Sequence, residues 1–169
     1  MEALAMNIKI ANIIGTYLGL GLSKFAPGTI GSLGTLPLAY VLVRLGGFWG
    51  LIIASVIIFV LGVFAVDAII KQTGIEDPSK VVIDETVGQL LTFSIIAYME
   101  PDFLFNSQCY LYYICGFAFF RFFDILKMGP VKYADTKIKN AFGVMLDDVF
   151  AGIFASIMLL GVLFFMVNV

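Results

Sequence analysis

The chain alternates apolar segments with short polar connections. Five apolar segments stand out, at residues 29–43, 48–70, 87–99, 109–123 and 149–167. A helix that crosses a lipid bilayer needs about 20 mostly apolar residues, a length that the second and fifth segments reach by themselves. The pattern predicts an all-α membrane bundle of about five helices, in which the third segment either spans the bilayer or enters it and returns.

Residues 1–22 differ from a secretory signal peptide. They carry an acid at Glu2 and lack a basic start followed by a small-residue cleavage site. Their pattern is typical of an amphipathic helix at a membrane surface. We therefore expect such a helix before the bundle, and a single membrane-embedded domain over residues 1–169, because this length suits one domain.

The basic residues indicate how the bundle is oriented. If the chain before residue 29 is cytoplasmic and the segments alternate, all Lys and Arg except Arg44 lie on the cytoplasmic side. This asymmetry follows the positive-inside rule. The connections at residues 45–47 and 100–108 are then the outer loops, and the prediction is a multi-pass protein whose functional residues face the cytoplasm.

The same membrane orientation places acidic residues at the cytoplasmic ends of the helices. Ionisable groups are costly in membrane helices and usually serve function. The helix dipole favours acids at helix starts, but it disfavours them at helix ends, where Asp67 and Asp124 lie. Carboxylates gathered at one depth need a counter-charge, and Mg2+ prefers oxygen ligands. The predicted metal ligands are Asp67, Asp84, Glu85, Asp124, Asp147 and Asp148.

Two pairs of adjacent acids, Asp84-Glu85 and Asp147-Asp148, point to catalysis. Neighbours on a helix project about 100° apart, so one carboxylate can bind a metal ion while the other orients water. Two such pairs could hold one or two metal ions for phosphoryl displacement. The predicted catalytic residues are Asp84, Glu85 and Asp148, with Glu85 or Asp148 as the general base.

Other polar groups could hold a phosphate. The run Pro-Gly-Thr-Ile-Gly-Ser at residues 27–32 opens a helix, where backbone N–H groups favour an anion, although capping and close packing explain the run equally well. Arg121 shares a helix face with Asp124, which suits either a phosphate clamp or a helix-end ion pair. The predicted phosphate-binding residues are Lys24, Thr29, Ser32, Arg121 and Lys127.

The composition of the chain and the spacing of its residues argue against several other functions. The chain contains no histidine, which excludes histidine metal ligands and serine–histidine relays. Cys115 and Arg121 have the spacing of cysteine phosphatases, but the residues between them are apolar and predict a helix interior rather than an anion-binding loop. The net charge of -2 gives no reason to expect a nucleic-acid partner.

Four stretches resemble the phosphatidylglycerophosphatase A family of bacterial membranes. They are FAPGTIGSLGTLPL (25–38), VVIDETVGQLL (81–91), FFRFFDILKMGPVKYAD (119–135) and NAFGVMLDDVFAG (140–152). The resemblance implies Mg2+-dependent hydrolysis of phosphatidylglycerophosphate to phosphatidylglycerol and phosphate at the cytoplasmic side of the bacterial inner membrane. Family members often carry Lys-Pro where this chain has Lys127-Met128, which puts the geometry of that loop in doubt.

Other functions remain open at this stage. A phosphatase acting on another lipid, such as phosphatidic acid, would need the same residues. A ring of carboxylates could instead serve a divalent-cation transporter, and a structural membrane subunit could pair its acids with its lysines. The expected partner is a phospholipid substrate in the bilayer, and the sequence leaves the oligomeric state open.

Overall fold

The computed structural model describes residues 6–101 and 109–167. The described chain consists of α-helices and one 3-10 helix, without a β-strand, which confirms the all-α prediction. The helices are α1 (Ile8–Gly15), α2 (Pro27–Thr73), α3 (Ile83–Met99), α4 (Cys109–Leu126), α5 (Pro130–Lys137) and α6 (Ala141–Val167), with the 3-10 helix at Leu20–Leu22.

α2 is broken at Gly47, whose φ of 55° and ψ of -140° are not helical. A positive φ of this kind favours glycine. Both halves reach the start of α3: a Cβ atom on Gly31 would lie 2.9 Å from the Val82 Cβ, and one on Gly62 would lie 3.4 Å from the Ile83 Cγ2. The chain therefore reverses at Gly47, and the first two apolar segments form two antiparallel helices.

Three helices have the length and apolar composition to cross a membrane, namely α2, α4 and α6. Side chains on their outer surfaces, such as Ile57, Ile114 and Ile157, are exposed, as expected where lipid replaces water. α3 has 17 residues and packs between α2 and α6, with Phe93 fully buried. Whether α3 spans the bilayer, and hence the count of five spanning helices, remains a prediction.

The N-terminal helix was expected and is present as α1. Ala11 and Gly15 are buried, and α1 packs on α2, while Ile10 and Ile13 are exposed. The position of α1 at a membrane surface stays a prediction. Residues 1–5, and most of the predicted outer loop at 100–108, lie outside the described residues.

α3 and α6 approach each other closely through two glycines. A Cβ atom on Gly88 would lie 2.6 Å from the Asp148 carbonyl oxygen, and a Cβ on Gly152 would lie 3.0 Å from the Gly88 Cα. Small residues at such crossings let helix backbones approach in a membrane. Because Gly88 lies one turn after Asp84 and Gly152 one turn after Asp148, the crossing brings the acids of α3 and α6 together.

This crossing predicts a stability effect. Gly152→Ala should lower the free energy of unfolding by about 1–3 kcal/mol, because the new methyl group meets rigid backbone. Gly161→Ala is the matched control, since nothing lies within 4 Å of its added Cβ on the same helix. Unfolding in mild detergent titrated with SDS measures both. Equal behaviour of the two variants would contradict the close approach.

Candidate active site

A cavity of about 360 Å³ lies at one end of the bundle. Its wall is formed by the start of α2, the connection before α3, the starts of α3 and α6, the end of α4, and α5. The charged residues that line it are Glu76, Asp77, Asp84, Glu85, Arg121, Asp124, Lys127, Asp135, Lys139, Asp147 and Asp148. The cavity is therefore the most strongly charged region that the described residues enclose.

Three carboxylates converge in this cavity. Asp84 and Glu85 lie in the first turn of α3, and Asp148 lies in α6. One oxygen from each lies within 4.8 Å of the others. Asp148 is 3% exposed, and the Glu85 side chain is 13% exposed. Buried like charges at this separation repel strongly unless a cation compensates them.

The three carboxylates fit a hard divalent cation. They offer only oxygen ligands, as Mg2+ requires, and no sulfur or imidazole group competes among the lining residues. The Glu85 Oε2 atom is buried and has no hydrogen-bond partner in the described part of the chain. Neither Asp84 nor Asp148 takes part in a salt bridge there. A bound cation would satisfy these groups.

Arg121 links the end of α4 to two other helices. Its Nη1 atom lies 2.5 Å from the Asp124 Oδ2, 3.8 Å from the Glu85 Oε1 and 3.4 Å from the Ser32 Oγ, to which it donates. The Arg121–Asp124 pair has the spacing expected of neighbours on one helix face. Arg121 therefore places a largely buried positive charge beside the carboxylate cluster.

Lys127 occupies an equivalent position on the other side of the cavity. Its Nζ atom lies 2.5 Å from the Asp135 Oδ1 and 2.8 Å from the Asp147 Oδ2. Burial by itself would lower the pKa of Lys127, but the two carboxylates outweigh it and raise the pKa above its usual value. Lys127 is therefore a permanent cation that faces the cavity from the end of α4.

The other three predicted metal ligands differ from the central three. Asp124 and Asp147 line the cavity, but each is paired with a cation. Asp67 does not line it: its side chain is 48% exposed and its Oδ2 accepts a 2.6 Å hydrogen bond from Lys71 one turn later. The helix-end argument placed Asp67 at the right depth, but its position around the helix turns it away from the cavity.

Only some of the predicted phosphate-binding residues line the cavity. Arg121 and Lys127 line the cavity, and Ser32 contacts it only through Arg121. Lys24 is exposed and, like Thr29, is not a lining residue. The start of α2 contributes instead through Gly28, where an added Cβ would collide with the Glu85 Oε1.

Several cavity residues were not predicted from the sequence. Asp77, Asp135 and Lys139 lie in short polar connections or in α5, where no pattern distinguished them from solvated residues. Gln89 follows Glu85 by one turn of α3 and does not line the cavity. It is fully buried, and neither of its amide atoms has a hydrogen-bond partner among the described residues. Gln89 carried a detectable signal, because a polar side chain inside an apolar segment is costly.

The fold and the cavity together define a class: a membrane-embedded helical protein with a buried cluster of acids flanked by cations at one end of its bundle. Comparisons with known proteins identify the family. The family model for phosphatidylglycerophosphatase A matches residues 13–163.

Individual relatives agree with that match. A phosphatidylglycerophosphatase A of Haemophilus influenzae is 34% identical over 155 residues, which cover 92% of this chain and 90% of that protein. The protein of the same name from Escherichia coli K12 is 29% identical over 162 residues, covering 94% and 86%. A Bacteroides thetaiotaomicron protein provisionally named phosphatidylinositol-3-phosphatase is 38% identical over 151 residues, covering 87% and 89%. No solved structure matches the chain.

The chain therefore belongs to the phosphatidylglycerophosphatase A family. The resemblance drawn from its four sequence stretches is confirmed, and so is the prediction of an enzyme of the lipid phosphomonoester hydrolase class.

The largely buried ion pairs of Arg121 should contribute more to the stability of the protein than the exposed Lys71–Asp67 pair. In metal-free buffer, Arg121→Met should lower the free energy of unfolding by about 3 kcal/mol, because it leaves Asp124 and Glu85 buried without their cation. Lys71→Met is the control, and it should cost less than about 1 kcal/mol because the Lys71–Asp67 pair is exposed. Unfolding with SDS in the presence of EDTA measures both, and an equal loss would contradict the compensating role of Arg121.

Proposed function

We propose that the protein hydrolyses the terminal phosphomonoester of phosphatidylglycerophosphate to phosphatidylglycerol and inorganic phosphate, with Mg2+ as its cofactor. The observation that carries this proposal is the convergence of Asp84, Glu85 and Asp148 within 4.8 Å, beside the Arg121 guanidinium. The names of the Haemophilus influenzae and Escherichia coli relatives support the choice of substrate.

Asp84 and Asp148 would hold the cation, with the charge of the Glu85 carboxylate beside it. When bound, Mg2+ withdraws charge from the phosphate oxygens and makes a nearby water more acidic. The carboxylate cluster is otherwise unfavourable for a phosphate dianion, because both carry negative charge. The proposal therefore requires the cation for substrate binding as well as for hydrolysis.

Two of the three cationic residues that line the cavity would orient the phosphate. Arg121 and Lys127 donate charge-assisted hydrogen bonds to its oxygens. Asp124 holds the guanidinium, and Asp135 and Asp147 hold the ammonium, so both groups are in position before the substrate arrives. This preorganisation lowers the cost of reaching the charged transition state.

Glu85 is our choice for the general base. Its Oε2 atom has no hydrogen-bond partner among the described residues, so it can accept a proton from the attacking water. The water oxygen bonds to phosphorus as the bond to the glycerol oxygen breaks. The glycerol oxygen takes a proton from bulk water and leaves as an alcohol, and Glu85 returns its proton to water. The products are phosphatidylglycerol and inorganic phosphate.

The proposed location is the bacterial inner membrane, with the cavity on the cytoplasmic side. The charge asymmetry of the loops supports this orientation. In it the acyl chains remain in the bilayer, and only the headgroup reaches the carboxylates.

A second substrate has support of its own. The Bacteroides thetaiotaomicron relative is named for phosphatidylinositol 3-phosphate, which also presents a phosphomonoester on a lipid headgroup. The carboxylate cluster, Arg121 and Lys127 would treat both phosphates alike. Selection between the two lipids would then depend on the residues around the cavity opening.

A cation-transport function is less well supported. A permeation path needs polar groups through the middle of the bundle. The acids lie at one end, whereas the interior further along α3 and α6 contains the fully buried apolar residues Leu90, Phe93 and Leu159. This arrangement favours chemistry at the membrane surface over passage through it.

The substrate proposal is tested with purified protein in detergent. We expect phosphate release from phosphatidylglycerophosphate with Mg2+ and none in EDTA, with slower release from phosphatidic acid and phosphatidylinositol 3-phosphate. Faster phosphate release from phosphatidylinositol 3-phosphate would make that lipid the preferred substrate and contradict the proposed one. Phosphate release that is unaffected by EDTA would contradict the proposed requirement for Mg2+.

The metal proposal is tested on the carboxylates. Asp84→Asn and Asp148→Asn should each reduce phosphate release on the order of 100-fold or more, because each removes charge stabilisation from the transition state. Asp67→Asn is the control and should keep normal activity, since Asp67 lies outside the cavity.

The same variants should differ in cation binding. Titration calorimetry with Mn2+ should detect binding to the parent protein and to Asp67→Asn, and weakened binding to Asp84→Asn and Asp148→Asn. Size-exclusion profiles in detergent establish that each variant is folded. Folded Asp84→Asn or Asp148→Asn protein with unchanged activity and Mn2+ affinity would contradict the proposal.

A further inference from the structure

The cavity wall is least closely packed between the start of α2 and the end of α4, a place called the gap below. Around the rest of the cavity, α5 packs on α6, α6 on both α3 and α4, and α3 on α2, whereas α2 and α4 share few contacts. Near the cavity they meet mainly through Arg121, which reaches the Ser32 Oγ at 3.4 Å and would lie 3.2 Å from a Cβ on Gly28. Beyond Arg121, Ala26 and Pro27 line one side of the gap, and Ile125 lines the other.

The rim of this gap is apolar and exposed. Phe25, next to Ala26, is 85% exposed, and Ile125 is 66% exposed although it also lines the cavity. Phe122, three residues before Ile125 and close to it on the surface of α4, is exposed as well. Exposed apolar groups at the ends of membrane helices suit the boundary between lipid headgroups and acyl chains.

The opposite rim of the cavity is polar. Glu76 and Asp77, in the connection before α3, and Lys139 and Asn140, in the connection before α6, line the cavity and are exposed. The cavity therefore has an apolar side towards α2 and α4 and a charged side towards these connections. A phospholipid carries the same two chemistries, acyl chains at one end and a charged headgroup at the other.

We propose that the substrate lipid enters the cavity sideways from the bilayer through the gap between Phe25 and Ile125. Its acyl chains remain against the apolar rim, while its phosphate reaches Arg121 and the carboxylate cluster. The released inorganic phosphate leaves across the polar rim to water. The nature of the headgroup rests on the proposed function, but the route depends only on the shape and polarity of the cavity.

The route is tested first by kinetics. Phe25→Ser and Ile125→Ser should lower kcat/KM for long-chain phosphatidylglycerophosphate in mixed micelles by about tenfold, because each removes apolar contact with the acyl chains. Activity on a monomeric short-chain analogue should stay within about twofold, since that molecule reaches the cavity from water. Ile10→Ser is the control, an exposed apolar residue of α1 that does not line the cavity.

Two kinetic outcomes would overturn the route. Equal losses on the long-chain and short-chain substrates would mean that Phe25 and Ile125 act on the cavity itself. Unchanged activity on both substrates would mean that the lipid does not pass this rim.

A binding measurement separates the route from the proposed hydrolysis. Trp49 is the single tryptophan of the chain, so Phe25→Trp, Ile125→Trp and Ile10→Trp are each made in a Trp49→Phe background. The probe is a non-hydrolysable phosphonate analogue of phosphatidylglycerophosphate with a nitroxide on its acyl chain, compared with nitroxide-labelled phosphatidylcholine at the same concentration.

The phosphonate should quench tryptophan at positions 25 and 125 more than phosphatidylcholine does, and both lipids should quench position 10 equally. Equal quenching by the two lipids at 25 and 125 would overturn the route. Selective quenching there in a protein that releases no phosphate would reject the proposed hydrolysis and leave the route standing.

Discussion

The site depends on charge compensation between buried acids and the few cations within reach. Arg121 neutralises Asp124 and approaches Glu85, and Lys127 lies between Asp135 and Asp147. These contacts occupy two of the three cationic residues that line the cavity, and the third, Lys139, is exposed. Asp84 and Asp148 then have no cationic partner in the described part of the chain, and Glu85 has one unpartnered oxygen. Because the carboxylates need further positive charge, the same cluster can bind a cation and, through it, a phosphate.

Helix packing creates this imbalance and maintains it. The crossing of α3 and α6 at Gly88 and Gly152 sets the distance between the acids of the two helices. Wider spacing, as larger residues would require, would let water separate the carboxylates and would reduce their mutual repulsion. The close approach that stabilises the bundle in lipid therefore also concentrates negative charge at one end of it.

The cavity separates two tasks that a lipid phosphatase has to perform. In the proposed mechanism the carboxylates, Arg121 and Lys127 bind the phosphomonoester, and that chemistry is the same for every headgroup. The opening between α2 and α4 and the polar connections on the other side contact the remaining parts of the lipid. The relatives bear different substrate names, and in the proposal for this chain the residues around the opening would select the headgroup.

Local sequence patterns determined much of this protein. Apolar runs predicted the helices, the turn at Gly47 and the end of the bundle where the acids gather, because hydrophobic length and periodicity are properties of short segments. The Arg121–Asp124 pair could also be predicted from the sequence, since side chains three residues apart on a helix share one face. Adjacent acids at residues 84–85 and 147–148 identified the centre of the cavity for the same reason.

Tertiary structure alone decided which helix-end residues share the cavity. Asp67 lies near the end of α2 but does not line the cavity, and it pairs with Lys71 one turn later on the same helix. Asp135 joins the site because α5 folds back against α6 and places it beside Lys127, eight residues earlier in the chain. The apolar side of the cavity likewise combines Pro27 at the start of α2 with Ile125 near the end of α4, which only packing brings together. Direction around a helix axis and the path of a polar connection depend on contacts between distant segments, which no local pattern in the sequence specifies.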